Sequence, residues 1–311
     1  MTSSATRVPY DLRPSKQVER RIFVDALQEL SQVGFPIRTY TYIGMGGIFY
    51  TDFIMFHKYL GIDNLVSVER DLAIEARIRF NQPFASVGLV MDEVGNVIAG
   101  MNRDTRYLLW LDYDEPLTTG ASEDIRLAVD VMRSSSLLLV TIPIFPGRSR
   151  SKEETFRYYE EGIGDYFAPE WGQEDFTPNR IMRTLADAFI RMVRSGLQGR
   201  SRIYFEILFY FRYSDGRDML SIGGMVCDPH DRQAVRKCNF GGRSYICRSI
   251  KADPLSIEVP ILTRKERAHA DACMPSKSRF LRSTLGFSVE EIRTYRSIYR
   301  FLPSYGELLI G

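Results

Sequence analysis

The sequence has few of the features that would immediately restrict the possible functions of the protein. It has four cysteines and three histidines in 311 residues, and no run reaches the roughly 18 to 20 apolar residues that a membrane span requires. Its charges nearly cancel, with 41 basic and 39 acidic residues and a net charge of +2. These shortages argue against a membrane protein and a dedicated nucleic-acid coat, although a local basic patch stays compatible with this net charge.

The first residues also lack the apolar stretch of a secretory signal, since residues 1–7 read Met-Thr-Ser-Ser-Ala-Thr-Arg. We therefore predict a cytoplasmic protein. Apolar residues make up 44% of the chain and charged residues 26%, which is ordinary for a globular protein with a large core.

All four cysteines lie in the last third of the chain. Without a secretory signal, disulfides are not expected. Cys227, His230, Cys238 and Cys247 could together supply four zinc ligands, but they lack the second close pair that structural zinc sites usually show. The favoured interpretation is free thiols, and no metal ligand is assigned.

One stretch near the N-terminus organises the rest of the sequence. A β-prone run from Tyr40 to Ile43 ends in three glycines, Gly44, Gly46 and Gly47, and a helical pattern from Phe49 to Leu60 follows at once. Strand, glycine turn and helix in this order bring bare backbone N–H groups close to a nucleotide-like ligand. The stretch therefore predicts the cofactor edge of an α/β domain.

An acidic residue follows the next predicted strand. Leu65 to Val68 reads as a short buried strand, and Glu69 stands at its end, 23 residues after Gly46. In a strand–helix–strand unit this spacing brings the carboxylate to the crevice that the glycine turn also faces. A carboxylate at that point can accept hydrogen bonds from both hydroxyls of a ribose.

Strands and helices then alternate through the middle of the chain. The later predicted strands are near-continuous apolar runs, which is typical of parallel strands covered on both faces. They comprise 86–91, 107–111, 137–142 and, after a long helix capped by Thr177-Pro178, a hairpin of 202–213 and 218–227. The order predicts an α/β fold with a doubly wound, mostly parallel sheet and one antiparallel strand near an edge.

We divide the chain into three parts. Residues 1–35 form an N-terminal helical segment, 36–227 the cofactor-binding domain, and 228–311 a small C-terminal extension or subdomain. The extension has a strand candidate at 257–262 and two helical patterns that Thr263 and Ser288 can cap. Within the middle part, residues 146–176 form an insertion typical of a lid or binding loop, whose aromatic residues either stack on a planar substrate or, as we favour, simply pack.

The N-terminal helix is predicted from Lys16 to Val33, with Ser15 as its N-cap. The face opposite its apolar stripe carries Lys16, Arg20 and Arg21. Two interpretations stay open. The commoner one is a solvated face, and the other is that these cations cover an anionic ligand near the glycine strand.

Two carboxylates follow the fourth strand. Asp112 and Asp114 flank Tyr113 at the strand's carboxyl end, where open α/β sheets place their ligands. Alternate residues of a strand point the same way, so both carboxylates face one site if the extended conformation continues. Such a pair could deprotonate an attacking hydroxyl or amine, or hold a divalent cation. The structural alternative is that they cap the strand end.

Over roughly residues 36–227 this order of elements resembles the class I S-adenosylmethionine (SAM)-dependent methyltransferases. The resemblance implies a Rossmann-like, seven-stranded sheet with an antiparallel last strand, and SAM as cofactor. It also implies site residues: Gly44, Gly46 and Gly47 as the glycine motif, Glu69 on the ribose, Asp92 or its neighbour Glu93 at the adenine, and Asp112 facing the substrate.

The sequence departs from the family pattern in two places. Gly-Met-Gly-Gly is shorter than the usual spaced motif, and Thr41, Tyr42 and Ile43 stand where an acidic residue usually precedes it. The stretch after the fourth strand, Asp-Tyr-Asp-Glu-Pro-Leu at 112–117, is not the Asn/Asp-Pro-Pro-aromatic pattern of amino-group DNA methyltransferases.

The resemblance implies methyl transfer to oxygen or nitrogen of a small molecule, protein or nucleic acid held near Asp112, Asp114 and the insertion. The alternative is a non-catalytic module that binds SAM or another nucleotide and serves as a sensor or as a subunit of a larger assembly. The compressed glycine motif and the long C-terminal extension, which could contact a protein partner, favour this alternative. A nucleic-acid-processing factor that uses the basic N-terminal helix is a third hypothesis, weakened by the near-neutral charge.

Overall fold

An eight-stranded sheet forms the centre of the protein in a computed structural model that describes residues 13–145, 151–238, 240, 243–275 and 288–304. The strands are β1 (Thr41–Gly44), β2 (Asn64–Glu69), β3 (Val87–Met91), β4 (Tyr107–Asp112), β5 (Leu137–Pro143), β6 (Tyr204–Ser214), β7 (Asp218–Cys227) and β8 (Leu255–Ile257). The helices are α1 (Pro14–Gln32), α2 (Thr51–Leu60), α3 (Glu75–Phe80), α4 (Val94–Ala99), α5 (Thr119–Val131), α6 (Lys152–Ile163), α7 (Ile181–Gly196), α8 (Pro229–Lys237), α9 (Arg264–Ala272) and α10 (Val289–Ile298). Within these ranges no helix combines the length and the apolar character needed to cross a membrane.

The strand order is β3-β2-β1-β4-β5-β7-β6-β8. Strands β1 to β5 are mutually parallel, and β7 lies antiparallel between β5 and β6. This arrangement confirms the predicted Rossmann-like sheet with an antiparallel strand. It differs in its eighth strand, β8, which pairs parallel to β6 at the edge.

Helices cover both faces of the sheet and create two apolar clusters. One face, here the α1 face, packs α1 and α2 on the sheet, with Phe23 meeting the Trp110 and Phe209 rings at centroid distances of 5.0 and 4.9 Å. The other, the α5 face, packs α4, α5 and α7. The carboxyl ends of β1 to β5 meet at one edge between these layers, and that edge is the site edge of this fold.

Several element boundaries differ from the prediction. Helix α1 begins at Pro14 and not after Ser15, because proline's fixed φ suits the first helical position. Helix α7 begins at Ile181, since the Thr177 carbonyl accepts the N–H groups of Arg180 and Ile181 before the helix starts. Helix α8 was not predicted, and the strand expected at 257–262 lies at 255–257 because Pro260 has no N–H for a ladder. The predicted caps at Thr263 and Ser288 are confirmed, and each is a capping box.

The C-terminal segment is tied to the sheet and to α1. A bulge at Leu208 in β6 frees a carbonyl that accepts the Cys247 N–H at 2.9 Å. Arg243 forms ion pairs with Asp25 and Glu29 of α1. Residues 243–247 therefore bridge β6 and the N-terminal helix.

The insertion packs its aromatic side chains internally over its described part, residues 151–176. Tyr159 and Phe176 are buried and stack with ring centroids 5.4 Å apart, and Phe167 stacks on Phe176 at 5.8 Å. The favoured prediction of ordinary packing is confirmed for these rings. The basic stretch at 146–150 lies outside the described residues.

Close strand packing requires glycine in β7, and this generates a stability prediction. A Cβ at Gly224 would overlap the Glu206 carbonyl oxygen of β6, whereas a Cβ at Gly88 of the edge strand β3 would find its nearest neighbour 3.6 Å away. We expect Gly224→Ala to lower the free energy of unfolding by about 1 to 3 kcal/mol in urea denaturation, because overpacking forces the strands apart. The control Gly88→Ala should stay within about 0.5 kcal/mol of wild type. Equal effects of the two substitutions would contradict this account of β7.

Candidate functional site

The glycine turn after β1 presents unused backbone donors. Among the described residues, the N–H groups of Gly46 and Gly47 donate to no protein acceptor. Gly47 has a left-handed φ of 53°, and a Cβ at Gly46 would lie 2.8 Å from Phe53 and 2.9 Å from Tyr50. The turn leads directly into the N-terminus of α2, where the helix dipole favours an anion.

Tyr50 holds the end of this turn in place. It precedes α2 with φ 50° and ψ 28°, a left-handed conformation that non-glycine residues seldom adopt. Its ring is fully buried and meets Phe53 edge-on at 5.3 Å. Burial raises the pKa of its hydroxyl. Such a backbone outlier persists where the surrounding packing enforces it, and functional sites are a common location.

Glu69 and Asp92 end the strands next to the turn and share one arrangement. Glu69 Oε1 accepts the N–H groups of Arg70 and Asp71, each at 2.9 Å. Asp92 Oδ1 accepts from Glu93 N and from Asn96 Nδ2, each at 2.7 Å. For both side chains the second oxygen has no hydrogen-bond partner within the described part of the chain. Each carboxylate is therefore oriented by the protein through one oxygen, while its other oxygen accepts nothing from the described residues.

Asp112 repeats this arrangement at the end of β4. Its Oδ1 accepts from the Lys16 ammonium at 2.9 Å, and its side chain is 25% exposed. Oδ2 has no hydrogen-bond partner in the described residues. Lys16 comes from the first turn of α1, so the N-terminal helix sets the orientation of a carboxylate in the middle of the sheet edge.

Lys16 belongs to a buried polar cluster. Its ammonium also pairs with Glu19 at 2.9 Å and lies 4.4 Å from the centre of the Trp110 ring. The Lys16 and Glu19 side chains are 3% and 0% exposed. Burial raises the pKa of Glu19, an effect that Lys16 opposes. Tyr213 donates to Glu19 Oε2 at 3.3 Å, whereas Oε1 has no hydrogen-bond partner among the described atoms.

The expectation of a solvated basic face on α1 is therefore wrong for Lys16 and Arg20, which are 3% and 4% exposed. The helix start is also held by the β6–β7 hairpin, because the Asp215 carboxylate accepts the N–H groups of Ser15 and Lys16 at 3.2 and 2.9 Å. A helix face rich in polar residues stays solvated only if no other polar surface packs against it. Here the polar edge of the sheet packs against α1 and buries these side chains.

A second buried pair was missed in the sequence. Tyr42 of β1 donates its hydroxyl to Asp52 Oδ2 in the first turn of α2, and the two residues are 0% and 8% exposed. Burial raises the pKa of Asp52, and Arg20 of α1 opposes this effect. The only sequence signal was an aspartate within an otherwise apolar helix start.

Asp114 lies apart from Asp112. Strand β4 ends at Asp112, Asp114 is exposed, and its carbonyl accepts from Arg217 at 3.1 Å. Between them, Tyr113 donates its hydroxyl to Asp124 at 2.9 Å. The extended conformation that would align both carboxylates does not continue, so a role for Asp114 stays a prediction.

The four cysteines are free thiols. In the described parts of the chain the metal-ligand geometry is met by one group, Asp228, His230 and Asp231, and not by the cysteine–histidine set considered above. Asp228 caps α8 by accepting the Asp231 N–H, and Asp231 accepts from the Ser134 hydroxyl at 2.6 Å. Both carboxylates therefore already accept hydrogen bonds that stabilise this loop.

A large groove lies away from this edge. It measures about 920 Å³ and runs along α7 beside the first half of β6, with residues 248–251 as its other wall. Arg183, Arg194 and Lys251 line it. The glycine turn and the three oriented carboxylates do not line it.

The strand order and the glycine turn after β1 are those of the Rossmann-like α/β class. A model of the family described as "Putative O-methyltransferase" matches residues 8–310, and the chain belongs to this family. This confirms the sequence-based prediction of a methyltransferase-like protein, for which SAM is the expected methyl donor.

The chain is also similar to solved structures of low sequence identity. One is a complex of Trm1 from Pyrococcus horikoshii with S-adenosyl-L-methionine, with 13% identity, a TM-score of 0.47, and coverage of 76% of this chain and 60% of that one. Another is the N-methyltransferase NodS from Bradyrhizobium japonicum WM9, with 10% identity, a TM-score of 0.35, and coverage of 68% and 97%. This chain thus spans less than two thirds of the Pyrococcus protein. A search of curated proteins gave no match.

The buried cluster generates a second stability prediction. Lys16→Met should lower the free energy of unfolding by about 3 to 5 kcal/mol, because it leaves the Glu19 carboxylate buried without a counter-charge. The matched control, Lys58→Met, removes an exposed lysine of α2 and should change it by no more than about 0.5 kcal/mol. Urea denaturation measures both. The double variant Lys16→Met/Glu19→Gln should recover part of the loss, and no recovery would argue against the pair as its cause.

Proposed function

We propose that this protein is a SAM-dependent O-methyltransferase with its active site at the carboxyl ends of β1 to β4. One observation carries the proposal: the glycine turn keeps two unused N–H donors, and Glu69, Asp92 and Asp112 around it each keep one unused oxygen. Donors and acceptors arranged by the protein but not used by it suit a polar ligand.

The residues present fit the predicted cofactor. Gly46 and Gly47 would receive the carboxylate of its amino-acid end on their N–H groups. Glu69 Oε2 would accept from the ribose hydroxyls on the neighbouring strand, and Asp92 would lie at the adenine one strand further out. The order of β1, β2 and β3 along the edge matches the order of these three parts in the molecule.

SAM supplies a methyl group already activated by its sulfonium, so the protein's contribution is alignment and proton handling. Asp112 performs the second task. Its Oδ2 accepts a hydrogen bond from the acceptor hydroxyl and receives the proton as the oxygen is methylated. Lys16 keeps Asp112 oriented through Oδ1.

The acceptor lies beside Asp112, under the insertion. Tyr158 of α6 donates to the Pro116 carbonyl at 3.1 Å, which brings the insertion next to the loop that follows β4. Asp114, on the same loop, is exposed to solvent at the entrance of the proposed acceptor site and contributes negative charge there. The acceptor is an oxygen nucleophile, and its identity as a small molecule, protein or nucleic acid is open.

We further propose a cytoplasmic location and a protein partner at the C-terminal extension. Four free thiols suit a reducing compartment. The partner proposal is supported by the groove along α7, one wall of which is residues 248–251 of the extension.

Calorimetric titration tests cofactor binding. We expect wild type to bind SAM and Glu69→Ala to bind it roughly 10 to 100 times more weakly, because a charge-assisted hydrogen bond contributes about 1.5 to 3 kcal/mol. The control Glu75→Ala removes a nearby carboxylate that pairs with Arg79, and should bind like wild type. Absence of binding to wild type would overturn the proposed function, and equal binding by Glu69→Ala would overturn the ribose assignment.

Transfer of a labelled methyl group into a cell extract tests catalysis. Asp112→Asn should reduce incorporation by about 100-fold or more, because loss of a general base typically costs 10²- to 10⁴-fold. Its SAM affinity should stay within about threefold of wild type. Asp114→Asn, the matched control two residues along, should retain most activity. Binding without transfer by wild type would favour the non-catalytic SAM-binding module.

A further inference from the structure

No acidic residue precedes the glycine turn in the sequence, but the fold brings a carboxylate close to it. Thr41, Tyr42 and Ile43 precede Gly44, and none is acidic. The structure brings Asp52 from α2 to this point, where its Oδ2 accepts the hydroxyl of Tyr42. Tyr42 is fully buried and Asp52 is 8% exposed.

Packing fixes where this carboxylate lies. A Cβ built on Gly44 would overlap the Tyr42 hydroxyl oxygen, so that oxygen lies directly over the last residue of β1. The Tyr42 ring meets Phe53 and Phe56 edge-on, with centroids 4.8 and 4.7 Å away, so it is packed against α2. Asp52, bonded to that hydroxyl, is therefore held beside the start of the glycine turn.

Of the carboxylates discussed around this turn, Asp52 is the one with no lysine partner and no ligand group assigned to it. Arg20 and Asp112 both face it from other elements, with opposite effects on its charge. Asp112 is already paired with Lys16. Glu69 ends the adjacent strand, where the ribose is proposed to bind.

We propose that Asp52, positioned by Tyr42, recognises the ammonium group at the amino-acid end of the cofactor. This rests on the proposed function. The amino-acid end is a zwitterion, and its carboxylate and ammonium are separated by a single carbon. A site that offers Gly46 and Gly47 N–H groups to the carboxylate must offer an acceptor close by to the ammonium, and Asp52 supplies it.

A purely structural role for the pair makes a different prediction. Tyr40, the residue just before the same strand, is equally buried and donates its hydroxyl to the Ser135 carbonyl at 2.7 Å, away from the site edge. If the Tyr42–Asp52 bond only stabilises the fold, its loss should resemble the loss of the Tyr40 bond. If Asp52 binds the ammonium, its removal should affect ligands that carry this group and spare ligands that lack it.

The test compares S-adenosylhomocysteine with its deaminated analogue, which lacks only the ammonium group. We expect wild type to prefer S-adenosylhomocysteine by about 10-fold or more in calorimetric titration, and Asp52→Asn to lose most of this preference by binding it more weakly while the analogue is unaffected. Tyr42→Phe leaves the carboxylate but frees its position, and should reduce the preference by about threefold. The control Tyr40→Phe should keep the wild-type preference.

The outcomes separate the two proposals. A preference that survives Asp52→Asn overturns this inference alone, as does an equal loss of affinity for both ligands, which indicates a structural role. Failure of wild type to bind either ligand overturns the proposed function and this inference with it. If Asp52→Asn does not fold, as judged by thermal unfolding, Tyr42→Phe decides, and an undiminished preference in that variant overturns the assignment.

Discussion

The buried ammonium of Lys16 is the constraint on which much of this structure depends. It lies between the carboxylates of Glu19 and Asp112, with all three groups largely removed from water. A buried charge is tolerated only when it is paired, so α1 cannot leave the sheet without exposing or orphaning one of them. The Asp215 carboxylate on the first N–H groups of α1 adds the β6–β7 hairpin to the same unit. The contacts that hold the N-terminal helix on the sheet are therefore the same contacts that orient Asp112, the proposed base.

This coupling explains why the site edge combines order with unused hydrogen-bonding capacity. Glu69, Asp92 and Asp112 each use one oxygen within the protein and keep the other. Holding Asp112, which is 25% exposed, in this way costs stability, because its second oxygen would be better solvated or fully bonded. The apolar packing of both sheet faces offsets this cost. On the α1 face, the Trp110 ring lies beside the Lys16 ammonium and packs on Phe23.

The sequence predicted those features that depend on local pattern. Alternating apolar runs and helical periodicity predict the doubly wound sheet, and strand ends locate Glu69 and Asp112 at its edge. What it could not predict depends on contacts between distant segments. Periodicity identifies the polar face of α1 but not that Asp112 and the hairpin would bury Lys16. Likewise, β8 forms because β6 has an edge with which it can pair. The proline at 260 limits the length of β8, because it has no N–H to donate.

The departures of the glycine motif from its family pattern are linked to one another. A tyrosine at 42 leaves no acid on β1, and its hydroxyl requires that residue 44 have no side chain. The turn between β1 and α2 is short, and the left-handed conformation of Tyr50 starts the helix abruptly after it. A short turn and an early helix start bring the second residue of α2, Asp52, within reach of the Tyr42 hydroxyl. A longer, regularly spaced turn would carry that carboxylate away from the end of β1. The compressed spacing is therefore a condition for moving the acid from the strand to the helix, and need not indicate a turn that has lost its ligand.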